Sequence, residues 1–244
     1  VNRRRLRILA CGLGICSILL AGCVPPPPRS AGDISSSTVT TPTVVSQTPT
    51  RVTTATRLLI EARQFVYRVR NVACLETGTT FTTAQGFVTN RHVASGATSV
   101  ELSNWEGMDF DSDLQAISGG ADLALLDDNF SEDTAATLAT PALAPGTKVW
   151  VAGYPKGDQL SVTAGVVLDY TAGSRFAEPG RLMEITNEVE PGNSGSPLMD
   201  RAGQVVGVVF ALETKSGHGL VIPASTLARF LVSPGDNTFG NCDD

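Results

Sequence analysis

The stretch TNEVEPGNSGSPLMD, residues 186–200, sets Ser194 between two glycines at the end of a polar loop, just before a short apolar run that reads as a strand. Gly192 and Gly195 can take positive φ or let the backbone approach a neighbour closely, which a turn that holds a side chain outward requires. The same turn can aim the Gly192 and Ser194 amides at one point and so form an oxyanion hole. GNSGSP, residues 192–197, is equally a good surface-loop sequence, so any chemistry has to be sought in what accompanies it.

A serine hydroxyl is a weak nucleophile without a base within hydrogen-bond reach. The chain has two histidines. His92 lies in GFVTNRHVASG, directly after an apolar strand, where an imidazole can reach across a cleft. His218 lies between two glycines in KSGHGLV, a predicted hairpin loop with a solvent-facing role. The imidazole in turn needs an acid to hold its tautomer and stabilise its protonated form. Asp122 in GGADLALLD is followed by apolar residues and reads as partly buried, and a buried carboxylate is costly unless paired. Asp109, Asp111 and Asp113 in WEGMDFDSD read as a solvated loop, and Asp127 and Asp128 as exposed.

The order His92, Asp122, Ser194, with T-N-R-H-V, A-D-L-A-L-L and G-N-S-G-S-P around them, resembles the trypsin-like (chymotrypsin-fold) serine peptidases. VWVAGYPKG, residues 149–157, and the later QVVGVVFAL and GLVIPASTLARFL resemble the bacterial HtrA-like, envelope-associated branch, here without a PDZ domain. The likeness covers about residues 69–231. It implies an all-β fold of two six-stranded antiparallel barrels, residues 58–144 and 145–244, with a short C-terminal helix. His92 and Asp122 come from the first barrel and Ser194 from the second, with a peptide-binding cleft between. The implied activity is that of a serine endopeptidase working through an acyl-enzyme on a peptide or protein, with no cofactor and as a monomer. Val208, Val209, Phe210, Ala211 and Leu212 would pair with the substrate backbone. Glu188, six residues before Ser194, either floors the primary specificity pocket, which would suit a basic side chain, or faces solvent. The family usually has glycine where this chain has Ser196. Serine also occurs there in glutamyl endopeptidase relatives, but GVVFAL lacks the histidine those enzymes use. The alternative is a catalytically silent module of the same fold that binds peptides or a partner on the envelope.

The rest of the pattern agrees with an all-β chain. Short β-branched runs separated by Gly, Pro, Asn and Asp give roughly six strands before Pro145 and six after it. LLIEARQFVYRVRN reads as a helix with Leu59, Ala62 and Val66 on one side, or as a helix passing into a strand. ASTLARFLV after Pro223 has helical spacing. An α/β-hydrolase is excluded because its histidine follows the serine.

At the N-terminus, VNRRRLRILACGLGICSILLAGC has four arginines, an apolar run and the box Leu20-Ala21-Gly22-Cys23. Residues 1–22 read as a lipoprotein signal and Cys23 as the lipidated first residue, giving an extracytoplasmic protein anchored to the membrane. The apolar run is shorter than the roughly 20 residues that cross a bilayer. Residues 23–57, rich in Pro, Ser and Thr, read as a tether. The chain carries 18 Lys and Arg against 24 Asp and Glu, and loss of Arg3, Arg4, Arg5 and Arg7 leaves 14 against 24. That acidic balance argues against a nucleic-acid partner. Cys11, Cys16 and Cys23 belong to the signal, which leaves Cys74 and Cys242 to pair in an exported domain. No His/Cys cluster suggests a metal. An envelope partner, or the redox state of that pair, is a candidate regulator.

Overall fold

The computed structural model describes residues 52–128, 134–235 and 240–242. The signal, Cys23 and nearly all of the tether lie outside the described residues.

The first barrel closes in the order β1-β2-β3-β6-β5-β4, all antiparallel. Its strands are β1 (Val66–Asn71), β2 (Glu76–Thr83), β3 (Gly86–Thr89), β4 (Ser99–Ser103), β5 (Asp109–Ile117) and β6 (Ala124–Leu126). A helix, α1 (Thr54–Ala62), precedes β1, and a single helical turn, α2 (Arg91–Ala94), follows β3. Closure removes free sheet edges and turns alternate side chains into one interior. Val69, Leu102 and Leu126 are fully buried there, and Tyr67 meets Phe87 edge to face with ring centroids 5.2 Å apart. The second barrel closes as β10-β11-β12-β9-β8-β7. It is built from β7 (Lys148–Gly153), β8 (Ser161–Ala172), β9 (Arg181–Ile185), β10 (Pro197–Met199), β11 (Val205–Glu213) and β12 (His218–Pro223), around Val149, Ile185, Leu198 and Val209. A third apolar cluster lies between the barrels, where Phe81 and Val88 from one meet Trp150, Met199 and Val208 from the other.

Two expectations need correction. The stretch around Asp109, Asp111 and Asp113 is strand β5, not a solvated loop. Its aspartates occupy exposed alternate positions while Ser112, Leu114 and Ala116 turn inward, so the outward charges hid a period-two pattern. The folded region also begins before residue 58. Helix α1 spans Thr54–Ala62, with the Thr53 side chain capping the amide of Thr56 at 3.1 Å. It buries Leu58 and Ala62, one turn apart, rather than Leu59. It also packs on β7 and β8 of the second barrel, so residues 54–62 do not belong to the first. The terminal helix α3 (Ala224–Val232) buries Leu227, Phe230 and Leu231, and Pro223 stands at its N-cap.

Cys74 and Cys242 are joined, with Cα atoms 5.3 Å apart, tying the C-terminal tail to the β1–β2 turn. The bridge lies against Gly96, where a Cβ would come within 2.9 Å of Cys242 Sγ. Among the described residues no helix is long and apolar enough to cross a membrane, and no group of His, Cys, Asp and Glu could hold a metal ion.

Candidate active site

The seam between the barrels positions the nucleophile loop. β2 ends one barrel's edge with Thr79, Thr80, Thr82 and Thr83, all buried, and each hydroxyl has a partner. Thr79 crosses to the other barrel three times. Its amide donates to Ser194 O at 2.7 Å, its hydroxyl donates to Gly192 O at 2.8 Å, and the same hydroxyl accepts Tyr154 N at 3.1 Å. Gly195 lies so close to Thr79 O that a Cβ would collide with it, and its φ of 85° is one that L side chains rarely adopt. Thr89, just before the His92 turn, donates to that same Thr79 carbonyl at 2.8 Å. A chain of contacts thus runs from β3, which leads into the turn that carries His92, through Thr79, to the loop that carries Ser194.

On the first barrel, Asp122 is 3% exposed and holds His92 twice. Its Oδ1 accepts the His92 amide at 2.9 Å and its Oδ2 lies 2.5 Å from the ring Nδ1. Asn90 Nδ2 donates to Asp122 O at 2.8 Å, fixing the peptide that bears the carboxylate. Burial of the imidazole pulls its pKa down, but the hydrogen bond and charge of Asp122 outweigh this and leave it raised, with Glu76 adding to the rise and Arg91 opposing it.

On the second barrel, Gly195 N donates to Val209 O and Val209 N donates to Ser196 O, both at 2.9 Å, so the nucleophile loop is pinned to β11 on either side of Gly195. Asn193 N is engaged by Glu190 O, whereas the amides of Gly192 and Ser194 donate to no described residue. These are the two donors expected of an oxyanion hole. The turn after β7 braces them, with Lys156 N donating to Pro191 O at 2.6 Å and Lys156 Nζ paired to Glu190 at 2.7 Å. Ser194 is partly exposed. No hydrogen bond joins its hydroxyl to His92 among the described residues. In resting sites such bonds are commonly long and tighten when substrate arrives.

The remaining expected site residues divide. Val208 and Val209 are fully buried, with Val208 paired to Pro197 and Ile222 and the Val209 backbone taken by the nucleophile loop, so neither can pair with a substrate. β11 bulges after Val209, and Phe210, Ala211 and Leu212 beyond it are accessible. Glu188 is exposed rather than enclosed. Its neighbours Asn187 and Val189 face inward, and Val189 packs where a Cβ on Gly219 would stand. Ser196 is accommodated because the residue opposite its hydroxyl is Gly153, where any Cβ would collide with it. His218 opens β12 and faces Glu184 at 3.5 Å. Thr79, Thr89 and Asn90 were missed from sequence. The run TGTTFTT before the histidine motif was the available signal, because so many hydroxyls in one strand of a closed barrel have to find buried partners.

Two closed barrels with this arrangement at their seam define a trypsin-like peptidase domain. The chain matches that family over residues 77–208, more than half its length, and belongs to it. The serine protease Do-like HtrA of Bacillus subtilis is 31% identical over 166 residues, covering 61% of this chain and 36% of that protein. The putative serine protease HhoA of Synechocystis is 29% identical over 166 residues, covering 64% and 42%. The chain therefore spans less than half the length of these relatives. Among solved structures, the active form of the Rv3671c protease from M. tuberculosis aligns with a TM-score of 0.66 at 25% identity, covering 77% of this chain and 89% of that one. The HtrA-type protease AlgW with tripeptide aligns at 0.67 and 24% identity, covering 72% and 62%, a likeness of fold.

Proposed function

We propose that this chain is an extracytoplasmic serine endopeptidase with His92, Asp122 and Ser194 as its triad. The observation that carries the reading is the double hold of Asp122 on His92, next to a Ser194 loop docked through Thr79 with two unengaged amides. Ser194 Oγ attacks the scissile carbonyl carbon while His92 Nε2 takes its proton. Asp122 stabilises the resulting imidazolium, and the Gly192 and Ser194 amides receive the oxyanion. Collapse of the tetrahedral species breaks the C–N bond, and His92 gives its proton to the departing amine. Water, activated by the same imidazole, then hydrolyses the acyl-enzyme.

Phe210, Ala211 and Leu212 are the segment offered to an extended peptide, which would add as a strand beside β11. The exposure of Glu188 gives no support to a buried charge pair with a basic side chain. The Cys74–Cys242 bridge fits an oxidising compartment, and Cys23 is the proposed lipid attachment point. Incubation of the wild type and Ser194→Ala with a mixed peptide library, read by mass spectrometry, tests the activity. Cleavage products that vanish with Ser194→Ala support it, and identical product lists from the two proteins contradict it. Incorporation of an alkyne fatty acid, lost in Cys23→Ala, tests the anchor.

A further inference from the structure

The triad reading leaves one buried carboxylate without a role. Glu178 is 4% exposed and sits in the loop between β8 and β9 of the second barrel. This loop is tightly turned: Gly173 N donates to Gly180 O at 2.8 Å, Glu178 N donates to Gly173 O at 2.9 Å, and Ala177 has a φ of 58°. A Cβ on Gly173 would stand 3.1 Å from the Glu178 Cβ, so the loop closes only because that position is a glycine. The consequence is that a second-barrel side chain reaches into the first barrel, where Glu178 Oε2 accepts the Asp122 amide at 3.0 Å.

Asp122 is thereby held by every polar group it has. Asn90 binds its carbonyl, His92 binds both carboxylate oxygens, and Glu178 binds its amide. The first three contacts come from within one barrel, and only Glu178 comes from the other. The charged groups that act on Glu178 are Asp122, which opposes its ionisation, and Arg91 and His92, which favour it. Arg175 of the same loop lines a separate cavity with Glu213 and Lys215. Burial is the largest influence and leaves the Glu178 pKa raised.

We propose that Glu178 is a positioning residue of the triad: it clamps the Asp122 backbone across the barrel interface and so holds the carboxylate that meets His92. The inference rests on the triad reading above. It makes the orientation of Asp122 depend on the docking of the two barrels, since the clamp and the residue it holds lie on opposite sides of the seam.

The test is an NMR titration of the His92 ring in the wild type, in Glu178→Gln, which keeps an acceptor oxygen for the Asp122 amide, and in Glu178→Ala, which removes it. His218→Gln identifies which of the two ring signals belongs to His92. A titration midpoint lower in Glu178→Ala than in Glu178→Gln is expected, because an Asp122 no longer held at its amide favours protonated His92 less, and equal midpoints in the two variants overturn the clamp. The clamp is tested by the rate of fluorophosphonate labelling of Ser194. Glu178→Ala is expected to lower it by about tenfold or more while Glu178→Gln restores it to within about threefold. Equal rates in all three proteins overturn the clamp. If Glu178→Ala does not fold, Glu178→Met, which fills the same space without an acceptor oxygen, takes its place in both measurements. A wild type that is never labelled contradicts the triad reading, and the His92 titration remains readable in that case.

Discussion

Asp122 fixes His92 at two points, accepting its backbone amide at 2.9 Å with one carboxylate oxygen and meeting its ring Nδ1 at 2.5 Å with the other. The ring cannot turn about its side-chain bonds without leaving Oδ2, and the turn that carries it cannot shift without leaving Oδ1. One buried carboxylate therefore sets both where the imidazole stands and which nitrogen faces the cleft. Asp122→Asn should keep the amide contact but present the ring with the wrong tautomer partner. We expect a fall in kcat of about 1,000-fold or more with KM changed little, measured on a peptide cleaved by the wild type.

The raised His92 pKa has two consequences of opposite usefulness. Catalysis needs neutral imidazole, so kcat/KM should rise with pH through a limb displaced above the ordinary histidine value of 6.5. Stability runs the other way. A group whose folded pKa is raised binds more protons in the folded state, so its contribution is fully present below 6.5 and is lost as pH rises through the folded value. Urea midpoints of the wild type and His92→Gln should therefore differ most at mildly acid pH and converge at alkaline pH.

Thr79 joins the barrels through a hydroxyl that both donates to Gly192 O and accepts from Tyr154 N. Thr79→Val keeps the shape and removes both bonds, leaving two buried backbone groups unpaired. A loss of about 3 kcal/mol is expected in chemical denaturation. Because Gly192 carries one of the proposed oxyanion donors, the rate of Ser194 labelling should also fall.

Cys74 and Cys242 are 168 residues apart in sequence, so their bond restricts a long loop of the unfolded chain. The double variant Cys74→Ala, Cys242→Ala should lose about 4 kcal/mol in urea denaturation. The bridge rests on the Ser95–Gly96 segment, and Asn71 Nδ2 ties the same turn through Val93 O and Ser95 O. Activity measured on the double variant under native conditions separates a stability role from a regulatory one: unchanged activity removes the latter.

Helix α1 reaches the second barrel through Leu58, which is fully buried. Leu58→Ala should cost about 3 kcal/mol, read from the denaturation midpoint.

The sequence made the fold legible wherever strands were apolar and turns were marked by Gly, Pro or Asn, as in VWVAG or GHGLVIP. It failed at β5, where three outward aspartates masked an inward face, and at Leu58, whose burial depends on a helix docking onto strands nearly a hundred residues away. The triad candidates were legible because each sits in a short motif of distinctive spacing. What supports them was not. Thr79 acts through three hydrogen bonds, and Asn90 and Glu178 through one each, to backbone atoms distant in sequence, and such partners leave no local pattern. Val208 and Val209 show the converse limit, since a strand assigned to substrate binding as a unit divides where its backbone groups are already taken by Ser196 and Gly195.

Fluorophosphonate labelling of the purified protein, alongside Ser194→Ala and His92→Ala, separates an activated serine from a silent loop. One labelled site is expected in the wild type, lost in Ser194→Ala and slowed by orders of magnitude in His92→Ala. A folded wild type that stays unlabelled under both oxidising and reducing conditions, or labelling that persists without Ser194, would contradict the triad reading.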